Sequence, residues 1–509
     1  MSEKKDHYII FIISLLTLLI HLFTNAFASY GIFRDEFYYL ACANRPDIGY
    51  VDQPPFSIWF LGGIKFLFGD SLFAIRLLPA ILHALLIYLT GKMTLKMGGE
   101  KTAVLISCLA VSLAPVILGM NTIYSMNTFD FIFWSLTAYI LILLIHNEEK
   151  YLWLLLGLVL GLGLMNKVGV LWLCLGVFLA LLLTSYRKYF KTIKPWLTFI
   201  IVFLFFLPYI IWNITHDFAH VEFIQNALRY KYSGLTPIDF IGGQFMNINP
   251  VSAIIWLAGL YFFFFHKEGK KYRMLVVVYI TAFLILLFNG HSKAEYLAAA
   301  YPMLFAGGGV LIEKIYQIKN WRWIKYAVII PLVLLGVLIM PLALPILPVE
   351  IYIKYADALG FAPSTPEGHE LSELPQFYAD MFGWEEIAKD VSKVYQSLPY
   401  YEKETTVVYC GNYGEAGAIE YYSRYYKLPP VLSPHNSYWY WWDFNKKVTT
   451  IIVLGGEEED LFDSLKEVKI GAIHKCKYCM PYENNLHIFV CKGLKRSVDE
   501  IHRSDKNFN

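Results

Sequence analysis

The chain has 509 residues, of which 57% are hydrophobic and only 17% carry a charged side chain. This balance is typical of an integral membrane protein and excludes an ordinary soluble domain of this length. The formal net charge is +2, and no long basic stripe lies outside the loops between apolar segments, so we expect no nucleic-acid partner.

Apolar segments of bilayer-spanning length follow one another along residues 1–347. A helix needs about 17 to 25 apolar residues to cross the hydrocarbon core, and residues 348–509 are too mixed in polarity to supply one. We therefore predict a polytopic α-helical membrane domain over residues 1–347 and a soluble domain over residues 348–509. The predicted spans are residues 8–28, 71–91, 101–119, 127–146, 151–166, 168–184, 196–213, 250–266, 272–289, 294–312 and 323–346.

The fifth and sixth predicted spans are separated only by Asn166 and Lys167, so a single long kinked segment is the alternative, and it would invert every later span. The positive-inside rule favours two spans. With a cytoplasmic amino terminus, this topology places the soluble domain and the loop over residues 29–60 outside the cytoplasm. Two of the cytoplasmic loops carry Arg187, Lys188, Lys191 and Lys194, and Lys267, Lys270, Lys271 and Arg273.

The soluble domain contains three β-branched runs of strand length, at residues 405–410, 449–454 and 487–491. Such runs are typical of strands. Helical patterns at residues 384–396 and 416–426 alternate with them, which predicts a small α/β domain.

Two further features of the soluble domain allow more than one interpretation. The aromatic run Tyr438–Trp442 could stack on sugar rings, but packing against the membrane domain is the alternative that we favour. Cys476 and Cys479 form a single C-x-x-C pair, which permits a disulfide in an oxidising compartment. Without a second pair, it is poor evidence for zinc or redox catalysis.

The loop over residues 29–60 is richer in charged and aromatic residues than a simple connection between two spans requires. Asp35 and Glu36 stand side by side in it. Adjacent positions of a helix point about 100° apart, so one carboxylate can face a cavity while the other holds the loop. Both are candidate catalytic residues, and the alternative for Asp35 is a cap on a helix that begins at Glu36.

Further candidate residues gather at the same outer ends of the spans, where an ionisable side chain is costly and therefore a functional candidate. Cations at this edge would suit an anionic phosphate, because Arg and Lys form charge-assisted hydrogen bonds with it. The candidate phosphate ligands are Arg76, Lys167 and Lys293, and the candidate substrate-binding residues are Tyr38, Tyr39, Asp52, Gln53, Asp130, His291 and Tyr296.

Two of these candidates have simple structural alternatives. Asp130 could be a solvated residue at the membrane interface, and Lys167 could be a lysine that extends its amino group to the interface. No metal motif of recognisable spacing occurs, although Asp35, Glu36, Asp130 and His291 could converge on a divalent cation. On the basis of these four residues, a divalent cation is the one candidate cofactor.

Five segments along the first 310 residues form a recognisable set, namely RDEFYYLA at 34–41, YVDQPP at 50–55, FGDSLFAIRLLPA at 68–80, GLGLMNK at 161–167 and KAEYLAAAYP at 293–302. Together they resemble glycosyltransferase family 39 and its relatives in the C-type membrane glycosyltransferase superfamily. These relatives are the protein O-mannosyltransferases and the aminoarabinose transferases that modify lipid A. The soluble domain also looks like that of bacterial members, for example in CGNYGEAGAIEYY at 410–422.

The resemblance implies the C-type glycosyltransferase fold, a bacterial inner membrane and a sugar donor linked to a polyprenyl phosphate. It implies that Asp35 is the base that takes the proton of the acceptor, with Glu36 beside it and Asp130 as the second acidic position. One position departs from the pattern. The aminoarabinose transferases have a Lys before the first Pro of the YVDQPP-like loop, and this chain has Gln53.

We therefore predict a membrane glycosyltransferase that passes a sugar to a lipid, glycan or protein acceptor outside the cytoplasm. A transporter of a lipid-linked or sugar substrate is the alternative, but the charges lie in outer loops and at span ends rather than at mid-span. A glycan-binding protein that is merely anchored by its helices would not need so many spans.

Overall fold

The computed structural model describes residues 2–147, 149–232, 234–365, 367–444 and 447–509, without the side chains of residues 2–6 and 319. The helices of the membrane part are α1 (Ser2–Phe27), α2 (Arg34–Ala43), α3 (Phe56–Phe68), α4 (Leu72–Lys96), α5 (Lys101–Ser112), α6 (Pro115–Met120), α7 (Met126–His146), α8 (Lys150–Leu164), α9 (Val170–Leu183), α10 (Lys194–Thr215), α11 (Ala219–Asn226), α12 (Pro237–Met246), α13 (Ser252–Phe265), α14 (Arg273–Asn289), α15 (Tyr301–Lys319) and α16 (Trp323–Ala343). Those of the soluble part are α17 (Val349–Ala358), α18 (Gln376–Ala379), α19 (Trp384–Ser397), α20 (Tyr400–Lys403), α21 (Tyr413–Tyr422), α22 (Glu458–Ser464) and α23 (Val498–Ser504).

Each predicted span overlaps at least one helix, but the predicted span 101–119 is divided into two helices, α5 and α6, by the break at residues 113–114. Among the residues that the structure describes, seven stretches are long and apolar enough to cross a bilayer, namely His7–Phe27, Leu72–Lys96, Met126–His146, Lys194–Thr215, Lys270–Asn289, Ala294–Ile318 and Trp323–Ala343. Helix α9 reaches that length only with the 3₁₀-helix Ser185–Lys191, from which it is bent by 98°. The remaining predicted spans coincide with the shorter apolar helices α5, α8 and α13. The polytopic α-helical fold class is confirmed, and the total of eleven spans stays a prediction.

Helices α8 and α9 are separate, and a tight turn over residues 165–169 joins them. A Cβ added to Gly163 would lie 3.1 Å from the side chain of Val170, an approach that a continuous helix does not allow between residues seven positions apart. Helix α8 packs along α10, whereas α9 packs along α14. The structure thus contains the two predicted segments and not a single kinked one.

The soluble domain sits on the end of the helical bundle at which α2 lies. The backbone N–H of Arg34 donates a 3.0 Å hydrogen bond to the carbonyl of Asp380. Helices α2 and α21 meet at backbone distance, because a Cβ on Gly417 would lie only 2.8 Å from the carbonyl carbon of Phe37. The first long loop and the soluble domain therefore share one end of the bundle.

A five-stranded sheet forms the centre of the soluble domain. Its strands are β1 (Thr406–Cys410), β2 (Val431–Leu432), β3 (Thr450–Leu454), β4 (Leu465–His474) and β5 (Leu486–Leu494), in the spatial order β2-β1-β3-β5-β4. Strand β1 runs parallel to β2 and β3, and β5 runs antiparallel to β3 and β4. The three predicted strands are β1, β3 and β5, so the small α/β domain is confirmed. Strand β4 escaped prediction because it is a largely exposed edge strand with charged residues.

Candidate active site

A cavity of about 510 Å³ opens between the end of the helical bundle and the soluble domain. It lies among α2, the turn over residues 165–169, α11 and the segment that precedes α15. The candidate residues that line it are Asp35, Tyr38, Tyr39, Asp52, Lys167, His291, Lys293 and Tyr296. Glu36, Gln53, Arg76 and Asp130 lie outside its lining.

Asp35 presents its carboxylate to this cavity from the second position of α2. The helix begins at Arg34, two residues before the start at Glu36 that the cap interpretation requires, and its N-cap is Phe33. It is Glu36 that accepts the N–H of Phe33, at 2.9 Å. Asp35 is therefore not the cap. Its side chain is 31% exposed, and its Oδ1 accepts a 2.8 Å hydrogen bond from the hydroxyl of Tyr413. The guanidinium of Arg34 lies 3.5 Å from the same oxygen.

Glu36 and Arg76 form a buried ion pair beneath the site. Their closest atoms are 2.7 Å apart, and both side chains are at most 2% exposed. Glu36 also accepts the N–H of Tyr124 at 2.7 Å, and Arg76 donates to the carbonyl of Gly31 at 3.0 Å. The predictions of Glu36 as a catalytic group and of Arg76 as a phosphate ligand do not fit this arrangement, because each satisfies the other away from the cavity. The pair instead ties the start of α2 to α4.

Lys167 extends from the turn after α8 into the cavity. Its Nζ donates a 2.8 Å hydrogen bond to Oδ1 of Asn127 and lies 3.4 Å from Oδ2 of Asp130. The amino group also lies over the ring of Tyr296, 5.3 Å from its centre. Asp130 is itself buried, and its other carboxylate oxygen has no hydrogen-bond partner among the described residues. Asp130 thus lies against Lys167 and outside the cavity lining, a position that does not fit the predicted contact with a substrate.

A second cationic group surrounds Glu367, which lines the same cavity. Lys293 and Lys231 lie 3.6 Å and 3.2 Å from Oε1 of Glu367, and Arg34 lies 3.7 Å from its Oε2. Sequence reasoning named Lys293 but missed Lys231 and Glu367. Lys231 stands in a long loop rich in aromatic residues between α10 and α13, which is the signal that could have found it. Glu367 lies within the soluble domain, in the segment between α17 and α18, and carried no signal.

Tyr38 and Asp52 form one unit at the edge of the cavity. The hydroxyl of Tyr38 donates a 2.7 Å hydrogen bond to Asp52, and the hydroxyls of Tyr38 and Ser437 are 2.8 Å apart. Burial raises the pKa of Asp52 to about 6, although the hydrogen bond from Tyr38 opposes this rise. Gln53 is fully buried, and its side-chain amide has no partner among the described residues. The predicted contact of Gln53 with a substrate does not fit this position, whereas Tyr39 lines the cavity as expected.

His291 and Tyr296 line the cavity. Nδ1 of His291 lies 3.0 Å from the carbonyl oxygen of Leu235. Across the part of the chain that the structure describes, no group of three or more His, Cys, Asp or Glu residues could hold a metal ion. Asp35, Asp130 and His291 are therefore not brought together, and the predicted divalent cation has no site that fits these residues.

The aromatic run Tyr438–Trp442 packs at the boundary between the two domains. The ring of Trp441 lies 4.5 Å from the guanidinium carbon of Arg45 in the first loop. Trp439 stacks on His502 with ring centres 4.2 Å apart, and the hydroxyl of Tyr440 donates to the carbonyl of His216 at 3.3 Å. These contacts support the packing interpretation over the stacking of sugars.

Comparison with known proteins gives a match to a family model over part of the chain, and a fold. Residues 52–212 match the family model of dolichyl-phosphate-mannose-protein mannosyltransferase, whereas no curated protein matches the chain. The structure is similar to that of ArnT from Cupriavidus metallidurans in the apo state, with a TM-score of 0.63, 11% identity, and coverage of 94% of this chain and 97% of that chain. The same protein bound to undecaprenyl phosphate gives a TM-score of 0.60 with the same identity and coverage.

A more distant similarity links the chain to the oligosaccharyltransferase of Archaeoglobus fulgidus in the apo form. The TM-score is 0.50 and the identity 13%, over 82% of this chain and 63% of that chain. The chain thus spans less than two thirds of that protein. Together with the partial family match and the similarity to the fold of ArnT, the many apolar helices indicate a multi-pass membrane glycosyltransferase whose residues 52–212 resemble the mannosyltransferase family model.

Proposed function

We propose that this glycosyltransferase moves a sugar from a polyprenyl-phosphate-linked donor to a hydroxyl of an acceptor outside the cytoplasm. One observation carries the proposal: the partly exposed carboxylate of Asp35 and the amino group of Lys167 line the same cavity. The carboxylate can take a proton where the amino group can stabilise a leaving phosphate. The ArnT structure with undecaprenyl phosphate supports this class of donor.

In the proposed reaction, Asp35 is the base. The hydroxyl oxygen of the acceptor attacks the anomeric carbon of the sugar, and its proton passes to the carboxylate of Asp35. The bond between that carbon and the phosphate oxygen breaks, and polyprenyl phosphate leaves with the electron pair. A hydroxyl is a weak nucleophile at neutral pH, and a positioned base contributes about 10²- to 10⁴-fold to such a rate.

Lys167 and Lys293 are the proposed partners of the phosphate. Negative charge grows on the phosphate oxygens as the sugar leaves, and a preorganised cation in a site shielded from water stabilises that charge most effectively. Lys167 is preorganised by Asn127 and Asp130, at 2.8 Å and 3.4 Å. These two lysines supply the positive charge of the cavity, since Arg76 is buried outside it and Gln53 carries no charge.

The polyprenyl chain fits the apolar wall of the same cavity. Leu171 and Trp172 of α9, Phe223 of α11, and Ile285 and Leu286 of α14 line it. These helices belong to the membrane part, so a lipid chain could leave the phosphate site directly into hydrocarbon. We place the cavity on the outer face of the bacterial inner membrane, in accordance with the distribution of Lys and Arg between the loops. The acceptor is a lipid, a glycan or a protein.

Asp35→Asn tests the proposal, because Asn keeps the shape of the side chain but takes no proton. The parent protein, Asp35→Asn and Asp47→Asn are expressed in a strain that lacks the gene, and envelope lipids, glycans and proteins are compared by mass spectrometry. Asp47 belongs to the same loop but lies outside the cavity lining, so its variant is the control. We expect the modified product with the parent and the control, and at least a 10²-fold loss with Asp35→Asn. A normal amount of product from a folded Asp35→Asn protein would remove Asp35 from the mechanism.

A further inference from the structure

Glu367, which lies in the linker between α17 and α18 of the soluble domain, places its carboxylate inside the cavity. The side chain is only 9% exposed, and it comes from the segment between α17 and α18, which forms neither helix nor strand over its described residues. The amide of Gln376 donates a 2.9 Å hydrogen bond to Oε2 of Glu367, and Nε2 of His369 lies 3.6 Å from the same oxygen. Glu367 is therefore held in place by its own segment as well as by the cavity.

Three cations surround this carboxylate. Lys231 and Lys293 lie 3.2 Å and 3.6 Å from one oxygen, and Arg34 lies 3.7 Å from the other. Burial acts to raise the pKa of Glu367, but the neighbouring His369 and the three cations hold it well below its usual range. Glu367 is thus an anion at every physiological pH.

The position of this anion relates directly to the proposed chemistry. The guanidinium of Arg34 contacts Glu367 on one side and Asp35 on the other, the latter at 3.5 Å. A group bound in place of the Glu367 carboxylate would lie one guanidinium away from the proposed base. That separation suits the phosphate of a substrate whose sugar must reach Asp35.

The segment that carries Glu367 also borders a second cavity, of about 1160 Å³. Phe361 and Phe377, near the two ends of the segment, line this second cavity, whereas Glu367 lines the first. Met120 and Glu295 line both cavities. Residues of the segment therefore border both cavities, which also share two lining residues.

We propose that Glu367 occupies the position of the substrate phosphate in the free enzyme, and that the phosphate displaces it from Arg34, Lys231 and Lys293. The inference rests on the proposed function for the identity of the phosphate as part of a polyprenyl lipid. Displacement moves the linker segment and opens the first cavity toward the second. When the sugar has been transferred, Glu367 competes with the released polyprenyl phosphate for the same cations and promotes its departure.

Competition by Glu367 should lower the apparent affinity of the enzyme for a phosphate. If the cations are engaged by Glu367 for most of the time, the apparent affinity for a phosphate is lowered by the fraction of free site. Glu367→Gln removes the competing charge and keeps an oxygen that can accept from Gln376. We expect the variant to bind undecaprenyl phosphate about tenfold more tightly. The released lipid is a phosphate monoester with a charge of about −1.5 to −2 at pH 7, so the three cations should hold it strongly once Glu367 no longer competes. We therefore expect slower release of this product, and slower turnover under multiple-turnover conditions, in Glu367→Gln.

The experiment measures binding of undecaprenyl phosphate and of inorganic phosphate to the full-length protein in detergent. Glu373→Gln is the matched control, because Glu373 belongs to the same segment but lines the second cavity. Lys231→Ala should weaken binding both alone and combined with Glu367→Gln. In parallel, hydrogen exchange of the backbone over residues 367–376 should become faster when undecaprenyl phosphate is added to the parent protein.

Unchanged or weaker binding of undecaprenyl phosphate by a folded Glu367→Gln protein would overturn the inference, as would slower or constant exchange of the linker in the parent protein. A different result would instead contradict the proposed function. If Glu367→Gln tightened binding of inorganic phosphate while neither protein bound undecaprenyl phosphate, the result would support the anion site. It would contradict the proposal that the donor is linked to a polyprenyl lipid.

Discussion

The hydroxyl of Tyr413 donates a 2.8 Å hydrogen bond to the carboxylate of Asp35. Tyr413 belongs to α21 of the soluble domain, and Asp35 belongs to the first loop of the membrane part. The ring of Tyr413 also lies 5.3 Å from the guanidinium carbon of Arg34. The soluble domain thus supplies a direct neighbour of the proposed base, and the active site is complete only when both domains are in place.

Tyr413→Phe should lower the rate of sugar transfer about tenfold without unfolding the protein. The substitution removes one hydrogen bond to a charged group, which is worth about 1.5 to 3 kcal/mol, and leaves the ring in its packing site. The turnover number should fall while the concentration of donor for half-maximal rate stays constant, because Tyr413 holds the base and not the phosphate. Tyr482→Phe is a useful control, since Tyr482 contacts Arg34 but not Asp35. Equal activity of parent and Tyr413→Phe would show that Asp35 needs no such positioning.

Glu36→Gln should destabilise the protein rather than act on catalysis directly. It removes one charge of a pair that is at most 2% exposed, and an unpaired buried charge costs about 3 to 5 kcal/mol. Arg76→Met should cost a similar amount, and the double variant should recover part of the loss because neither charge is then left alone. Thermal unfolding in detergent measures all three effects. If the single variants were stable but had little activity, Glu36 and Arg76 would have a direct role in catalysis.

The contrast between Glu36 and Asp35 shows what the sequence could and could not decide. Two carboxylates in the first loop of an apolar chain are visible as candidates, and their different directions follow from helix geometry. Which of them faces the cavity depends on where α2 begins, and this start at Arg34 is set by a cap at Phe33 without a polar side chain. The usual sequence signals of a helix start are polar residues, so the register of α2 could not be read in advance.

Other parts of the site depend on contacts between distant segments. The strands β1 and β3 and the apolar helices follow from local composition, and they were predicted. Tyr413 and Asp35 are 378 positions apart, and Glu367 reaches Lys231 and Lys293 from another domain. The local periodicity of the sequence carries no information about contacts between residues so far apart in the chain. The same reason explains why Arg76 was expected at a phosphate and lies instead against Glu36.

Cys476 should react with alkylating reagents at unusually low pH. The hydrogen bond with Cys479 and the neighbouring His474 lower the pKa of the Cys476 thiol to about 5, against the effect of burial. The reactive thiolate is therefore present above about pH 5 and is lost as the pH falls through that value. After reduction of the protein, iodoacetamide labelling between pH 4 and 9 with detection by mass spectrometry measures the profile. Cys491, whose pKa burial raises to about 12, is the internal control. A labelling rate at Cys476 that rises only above pH 8 would contradict the prediction.

Lys167→Met should lower sugar transfer about 10²- to 10³-fold, the loss expected when one preorganised group that stabilises developing charge is removed. Asp130→Asn should cost less, because Lys167 keeps its 2.8 Å hydrogen bond to Asn127. If Asp130 acts only by holding Lys167, Asp130→Asn should have no further effect on the rate in a Lys167→Met protein, since residues that act as a unit are not additive. The double variant should also be more stable than Lys167→Met alone, because it leaves no unpaired carboxylate in the buried position of Asp130. Rates of single and double variants in one transfer assay, with thermal unfolding of each, test both statements. Additive losses in rate would mean that Asp130 acts on the substrate by itself.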